Sequence, residues 1–167
     1  MRIVTDSERR LRAADWDDHE PRMRKLLQRH YGAGSVEQRE PSRPSMAAQA
    51  LLAYFDGDLN AVNDLPTETN GTAFQRAVWQ ELRKIPAGRA ISYGALAAQI
   101  GNPKAVRAVG LANGSNPIAI VVPCHRVIGA NASLTGYGGG LHRKQWLLAH
   151  ERGERSLFGE RDLVSTP

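Results

Sequence analysis

Ile118-Ala119-Ile120-Val121-Val122-Pro123-Cys124-His125-Arg126-Val127-Ile128-Gly129 is the stretch around which the rest of this 167-residue chain is organised. Five apolar residues lead into a proline, and the only cysteine of the sequence follows with a histidine at its side. A short uninterrupted apolar run reads as a buried strand or core segment, which places Cys124 at the end of something buried. Pro123 fixes its own φ and has no amide proton, so the approach to the thiol is rigid. Taken alone, a single cysteine is more often a small buried hydrophobe than a reagent. The Pro-Cys-His-Arg context reverses that balance. An apolar setting alone raises a thiol pKa, whereas a neighbouring imidazole can lower it and supply the thiolate.

Composition sets outer bounds. Lys and Arg number 22 against 17 Asp and Glu, a formal net charge of +5, and the pI is near 9.8. That balance permits an anionic partner such as a nucleic acid without requiring one. The length fits one domain or two small ones, and 41% hydrophobic residues suffice for a core. One cysteine excludes an internal disulfide and a thiolate-rich zinc site, and it suits a reducing compartment. With no signal peptide and no long apolar run, the expectation is a soluble cytoplasmic protein without membrane association.

Upstream of the cysteine segment lies a helix-turn-helix candidate. Ser92 caps a short helix from Tyr93 to Ile100 that turns at Gly101. Asn102-Pro103 then opens a second helix, 104–113, rich in small residues that allow close approach to another surface. Alone, two short helices around a glycine are a weak signal, and two core helices are as ordinary. Before them, Thr72 and Gln75 form a capping box for a helix over 73–84 with Phe74, Val78 and Leu82 on one face, ended by Pro86 and Gly88.

The spacing predicts a domain over 1–65, a linker over 66–71, a second domain over 72–153 and a mobile tail over 154–167. The first domain reads as a hairpin over 2–16 with its turn at Asp6-Ser7-Glu8 and Leu11, Ala13 and Trp16 on alternate positions. An amphipathic helix over 19–31 buries Met23, Leu26, Leu27 and His30 and ends at Gly32. A polar loop over 33–44 leads to a helix over 45–55 with Leu51, Leu52, Tyr54 and Phe55 apolar and Gly57 as its stop. Nothing in residues 1–64 reads as reactive. After the cysteine, Gly136 to Gly140 are too glycine-rich for a regular element and match neither phosphate-binding fingerprint. A last helix over 141–151 offers Leu141, Leu147 and Leu148 to the core.

Asn116-Pro117, Pro123 to Gly129, Gly136-Tyr137-Gly138-Gly139-Gly140, Arg143-Lys144, Trp146-Leu147-Leu148 and His150-Glu151 stand in a recognisable order and spacing. Over about residues 70 to 152 the chain resembles the O6-alkylguanine-DNA alkyltransferases, closer to the bacterial constitutive type than to the adaptive-response type. The resemblance implies an α/β fold with a small ribonuclease H-like N-terminal domain and a mainly helical C-terminal domain holding the helix-turn-helix. Members begin with a longer hairpin, so either the first strand is truncated here or the start site differs. The implied activity is direct reversal of alkylation damage, with no cofactor and no metal. The implied partner is double-stranded DNA carrying O6-alkylguanine, bound by a monomer. O4-alkylthymine as a second substrate and cooperative assembly on DNA stay open.

The chemistry fits the residues. An alkyl group on guanine is held through an sp3 carbon, which calls for a soft nucleophile such as a thiolate. The S-alkyl product is a thioether with no carbonyl for water to attack, so transfer is irreversible and each molecule acts once. A base inside a duplex is out of reach and must be flipped out. By resemblance, a water links Cys124 to His125, and Glu151 orients the imidazole; alone, Glu151 reads as a surface residue. By resemblance again, Tyr93 covers the flipped base and donates a proton to it, while Arg107 fills the vacated stack. Lys104, Ala105, Ala108 and Asn113 face the DNA in the same comparison, and the second helix enters the minor groove. Tyr137, Gly138 and Val127 line the alkyl pocket, and Asn116 is a hinge between the recognition helix and the cysteine segment. Many relatives carry serine at the position of Gly138, so glycine implies extra room for larger alkyl groups. Two rivals remain. One is a DNA-damage-binding module without chemistry, disfavoured by the presence of Cys124. The other is a cysteine hydrolase using Cys124 and His125, which would turn over a small ester.

Overall fold

The computed structural model describes residues 1–34 and 43–154, which form a mixed α/β arrangement of helices and two small sheets. β1 (Arg2–Thr5) and β2 (Leu11–Asp15) pair antiparallel. Asp6 closes the turn between them by accepting the amides of Glu8 and Arg10, each at 2.9 Å. The register shifts between Val4 and Thr5, so Leu11 and Ala13 do not share a face as the alternation predicts. Leu11, Ala14 and Trp16 join the main core, whereas Ala13 packs against Met23 and Leu27 of α1 (Glu20–Tyr31). A bulge re-aims side chains in this way, because one strand carries an extra residue.

α1 buries the predicted Met23, Leu26, Leu27 and His30, and Gly32 ends it with φ +89°. The predicted loop over 33–44 falls largely outside the described residues, as does the predicted tail beyond residue 154. α2 (Met46–Phe55) is capped by Ser45, whose hydroxyl accepts the Ala48 amide at 3.1 Å. It buries Leu51 and Tyr54 but leaves Leu52 62% exposed.

α3 (Ala73–Leu82) opens with the predicted capping box, Gln75 amide to Thr72 at 3.2 Å and Thr72 amide to Gln75 at 2.9 Å. It ends at Leu82, before the predicted Lys84. β3 (Ile91–Ser92) runs into α4 (Tyr93–Gln99), capped by Ser92 as expected. α5 (Val106–Gly114) starts later than the sequence suggests. Asn102-Pro103-Lys104-Ala105 form a turn closed by the Ala105 amide on the Asn102 carbonyl at 2.9 Å. Proline at the second position of such a turn has the φ the turn requires, and it stops helix formation there. Lys104 and Ala105 therefore precede the helix.

β4 (Val127–Ile128) pairs parallel with β3, Ile91 opposite Val127 and Ser92 opposite Ile128. α6 (Leu141–Glu151) closes the described chain, with Leu147 and Leu148 buried and Leu141 48% exposed, contrary to its expected core place. One apolar cluster joins Leu11 and Trp16, Leu51 and Tyr54, Val78 and Leu82, Leu96 and Val109, and Ile118 to Cys124. Among the described residues no helix is long and apolar enough to cross a membrane.

Candidate active site

The apolar run before the cysteine is buried, but it is not a strand. Ile118 makes one parallel bridge to Ala14, and the chain then turns, the Val122 amide donating to the Ile118 carbonyl at 3.1 Å. Ile120 sits at φ +70°, where a β-branched side chain is strained by about 1–3 kcal/mol. Asn116 holds the turn. Its Oδ1 accepts the Ile118 amide at 2.9 Å, and its Nδ2 donates to the carbonyls of Ile118 (3.2 Å) and Val122 (2.7 Å). Buried backbone groups need partners, and here a side chain supplies what a neighbouring strand would. The chain reaches Cys124 as the first residue of a single 3-10 turn, Cys124–Arg126. Asn113, expected to face DNA, is buried instead and donates from Nδ2 to the Cys124 carbonyl at 3.3 Å.

His125 and Glu151 meet as the sequence comparison implied, Nε2 to Oε1 at 2.8 Å, both buried. Glu151 collects further donors: the Tyr54 hydroxyl at 2.7 Å on Oε1, and on Oε2 Arg126 Nε at 2.9 Å and the Gly88 amide at 3.2 Å. Arg126 Nη2 adds a second bond to Oε1 at 2.7 Å. Burial alone would raise the Glu151 pKa, but the hydrogen bonds from His125 and Arg126 hold it well below the usual carboxylate range. A carboxylate only accepts, so Nε2 carries the imidazole proton and Nδ1 offers the lone pair. Nδ1 is buried and has no protein partner among the described residues.

Burial lowers the His125 pKa more than Glu151 raises it. Burial likewise pushes the Cys124 thiol up, with the Asn116 amide, Arg22 and Lys144 pulling the other way. The resting pair is thus a neutral thiol beside a neutral imidazole. Such a pair can pass the proton to Nδ1 as the sulfur attacks, and Glu151 then stabilises the imidazolium.

The β3–β4 pairing brings Tyr93 close to Cys124. It follows Ser92 directly, beside the segment that begins at Cys124. Burial raises the pKa of its hydroxyl, so it stays a proton donor. Tyr137 stands edge-on to the His125 ring, centroids 6.5 Å apart. Val127 is buried, and its carbonyl accepts Lys144 Nζ at 2.6 Å, which also reaches the Thr135 carbonyl at 2.8 Å. Lys144 is fully buried, which pulls its pKa down to about 8, while the nearby Cys124 acts against the fall.

Sequence reasoning missed Lys144, Arg126 as a Glu151 clamp, Tyr54 and Arg22. Lys144 carried a readable signal, since it shares the Leu147, Leu148 and Glu151 face of α6. The space over Gly138 is not the extra room expected. A Cβ there would lie 2.6 Å from the guanidinium carbon of Arg22, which already fills it. Of the residues expected at DNA, Lys104, Arg107 and Ala108 are exposed and Ala105 is half-buried. Arg107, Ala108, Leu111 and Gly114 share one exposed stripe of α5, by their three- and four-residue spacing.

Residues 73–153 match the family described as 6-O-methylguanine DNA methyltransferase, DNA binding domain. The chain is 52% identical to the methylated-DNA–protein-cysteine methyltransferase of Shigella flexneri over 149 residues, 89% of this chain and 87% of that protein. Its fold is similar to Mycobacterium tuberculosis OGT in complex with DNA, with TM-score 0.60, 49% identity and coverage of 70% and 76%. It is also similar to the O6-methylguanine-DNA methyltransferase of Pyrococcus kodakaraensis, with TM-score 0.69, 28% identity and coverage of 89% and 88%.

Proposed function

The chain belongs to the methylated-DNA–protein-cysteine methyltransferase family and repairs DNA by direct alkyl transfer to a cysteine, and from that premise we propose that Cys124 accepts the group from O6-alkylguanine. The observation that carries this reading is the sole thiol of the sequence, adjacent along the chain to an imidazole whose Nε2 is held on Glu151 and whose buried Nδ1 has no protein partner among the described residues.

In the step we propose, the Cys124 proton passes to His125 Nδ1 through a bridging water. The sulfur forms a bond to the alkyl carbon, the carbon–O6 bond breaks, and its electron pair leaves with the guanine. Tyr93 donates its phenolic proton to the ring as that charge develops, and recovers a proton afterwards from the imidazolium or solvent. The thioether has no electrophilic centre for water, so each molecule acts once. Asn116 and Asn113 hold the cysteine backbone, and Tyr137 and Val127 wall the pocket. No cofactor is needed for this step.

For DNA we propose that α4, the turn over 101–105 and α5 act as a helix-turn-helix with α5 in the minor groove. Arg107 enters the stack, and Ala108 allows close approach. Lys104 and Ala105 contact the duplex from the turn. Residues 1–65 then form a ribonuclease H-like domain joined through 66–71 to the domain over 72–153. An unpaired thiol suits the reducing cytoplasm. The test is transfer of a labelled methyl group from O6-methylguanine duplex: the native protein takes up label, whereas Cys124→Ala takes up none and still binds the duplex. Label in Cys124→Ala would overturn the assignment.

A further inference from the structure

The Gly136–Gly140 segment does not stand free over the site. A Cβ at Gly138 would lie 2.6 Å from both the guanidinium carbon and Nη2 of Arg22, and a Cβ at Gly139 would lie 2.3 Å from Trp16 Nε1. Real Cβ atoms are not found this close to other groups, so both glycines mark places where N-terminal side chains press on the segment's backbone. Arg22 is fixed on its other sides as well. Its Nη1 pairs with the buried Asp15, and its Nη2 donates to the carbonyls of Gly114 (2.9 Å) and Asn116 (3.1 Å). One side chain from α1 thereby touches the end of α5, the asparagine that shapes the cysteine turn, and the wall of the pocket. Arg143 braces the same segment from α6: it donates to the Gly139 carbonyl at 3.1 Å and lies over the Trp16 ring at 4.7 Å.

We propose that Arg22 is a positioning residue of the alkyl-transfer site: it locks the 136–140 segment to the C-terminal end of α5, and its guanidinium is the reason position 138 is glycine. This rests on the alkyl-transfer reading above. Arg22 also contributes positive charge at Cys124, along with Lys144 of α6; Tyr93 and Tyr137 are further titratable groups that act on the thiol, and the buried Asp15 carboxylate pairs with Arg22 itself. Its loss should therefore misplace the pocket wall and make the thiol harder to ionise.

The test is a double-mutant cycle read as the rate of benzyl transfer from free O6-benzylguanine, which needs no base flipping. Gly138→Ala should slow transfer by about tenfold or more in the native background, because the methyl and the guanidinium cannot both fit; in an Arg22→Ala background the same change should slow it by less than about threefold. Equal factors in the two backgrounds would overturn the coupling. Arg22→Ala leaves the Asp15 carboxylate buried and unpaired, so Arg22→Lys serves as a second background that keeps a cation there while vacating the planar group over Gly138. A second readout is the pH dependence of Cys124 labelling by iodoacetamide. Arg22→Met should move its midpoint upward and Arg22→Lys should restore it, whereas an unmoved midpoint would mean Arg22 only packs. Failure of the native protein itself to take up the benzyl group would count against the alkyl-transfer reading, not against this coupling.

Discussion

Tyr54 donates its hydroxyl to Glu151 Oε1 at 2.7 Å across 97 positions of sequence. The carboxylate that fixes the His125 imidazole is therefore held partly from α2, in the N-terminal half of the chain. The same oxygen accepts His125 Nε2 at 2.8 Å, so any rotation of Glu151 is felt by His125. Tyr54→Phe removes one donor to a buried charge, and hydrogen bonds of that kind contribute about 1.5–3 kcal/mol. We expect that loss in urea unfolding, together with slower transfer to Cys124. A variant as stable and as fast as the native protein would mean that the bond does not hold Glu151.

Glu151 also predicts how stability responds to acid. Its folded-state pKa lies below the ordinary value near 4.5. As pH falls below that value, the unfolded chain binds a proton before the folded one does. Its contribution is thus complete above about pH 4.5 and shrinks below it. Glu151→Gln leaves the Arg126 charge buried without its partner, a loss of about 3–5 kcal/mol at neutral pH. The gap between native and variant should narrow below pH 4.5 in denaturant titrations. Parallel stability profiles down to pH 3 would contradict the ionised state of Glu151.

The reaction should have an acid limb set by His125. Burial places its pKa below the ordinary 6.5, so the imidazole is already the neutral base at pH 7. Transfer from free O6-benzylguanine should be nearly constant from pH 7 to 8 and fall only below the ordinary imidazole value of 6.5, as His125 takes up a proton. A decline on acidification that begins above pH 7 would mean that His125 is already protonated at neutral pH, contrary to the neutral base inferred here.

Some of this was legible in the residues alone, and the reasons are local. The α3 capping box, the Met23-Leu26-Leu27-His30 stripe and the Ser92 cap each depend on neighbours within one or two turns. Cys124 and His125 were legible because they are adjacent. Tyr54, Arg22 and Lys144 were not assigned roles, because their partners lie on elements far off in sequence. The run over 118–122 reads as a buried strand or core segment, and hydropathy could not decide between the two for a related reason. Its backbone partner is the Asn116 side chain, and hydropathy carries no trace of that bond. The roominess inferred at Gly138 failed likewise, since the group that fills the space comes from α1.

Arg107 is exposed on α5, on the same stripe as Ala108. If it fills the stack, Arg107→Ala should slow repair of duplex DNA far more than transfer from the free base. Base flipping costs roughly a few kcal/mol, and each 1.4 kcal/mol of lost compensation is about tenfold in rate. Equal slowing on both substrates would make Arg107 a folding residue only.

The central claim is that Cys124 takes the alkyl group once and keeps it. Intact-mass measurement after mixing the protein with excess O6-methylguanine duplex addresses it directly. The expected result is one methyl in place of one thiol hydrogen per molecule, located on Cys124 by peptide mapping, with guanine restored in equal amount and no further repair. Restoration of several guanines per protein molecule, or a methyl group on any residue other than Cys124, would contradict it.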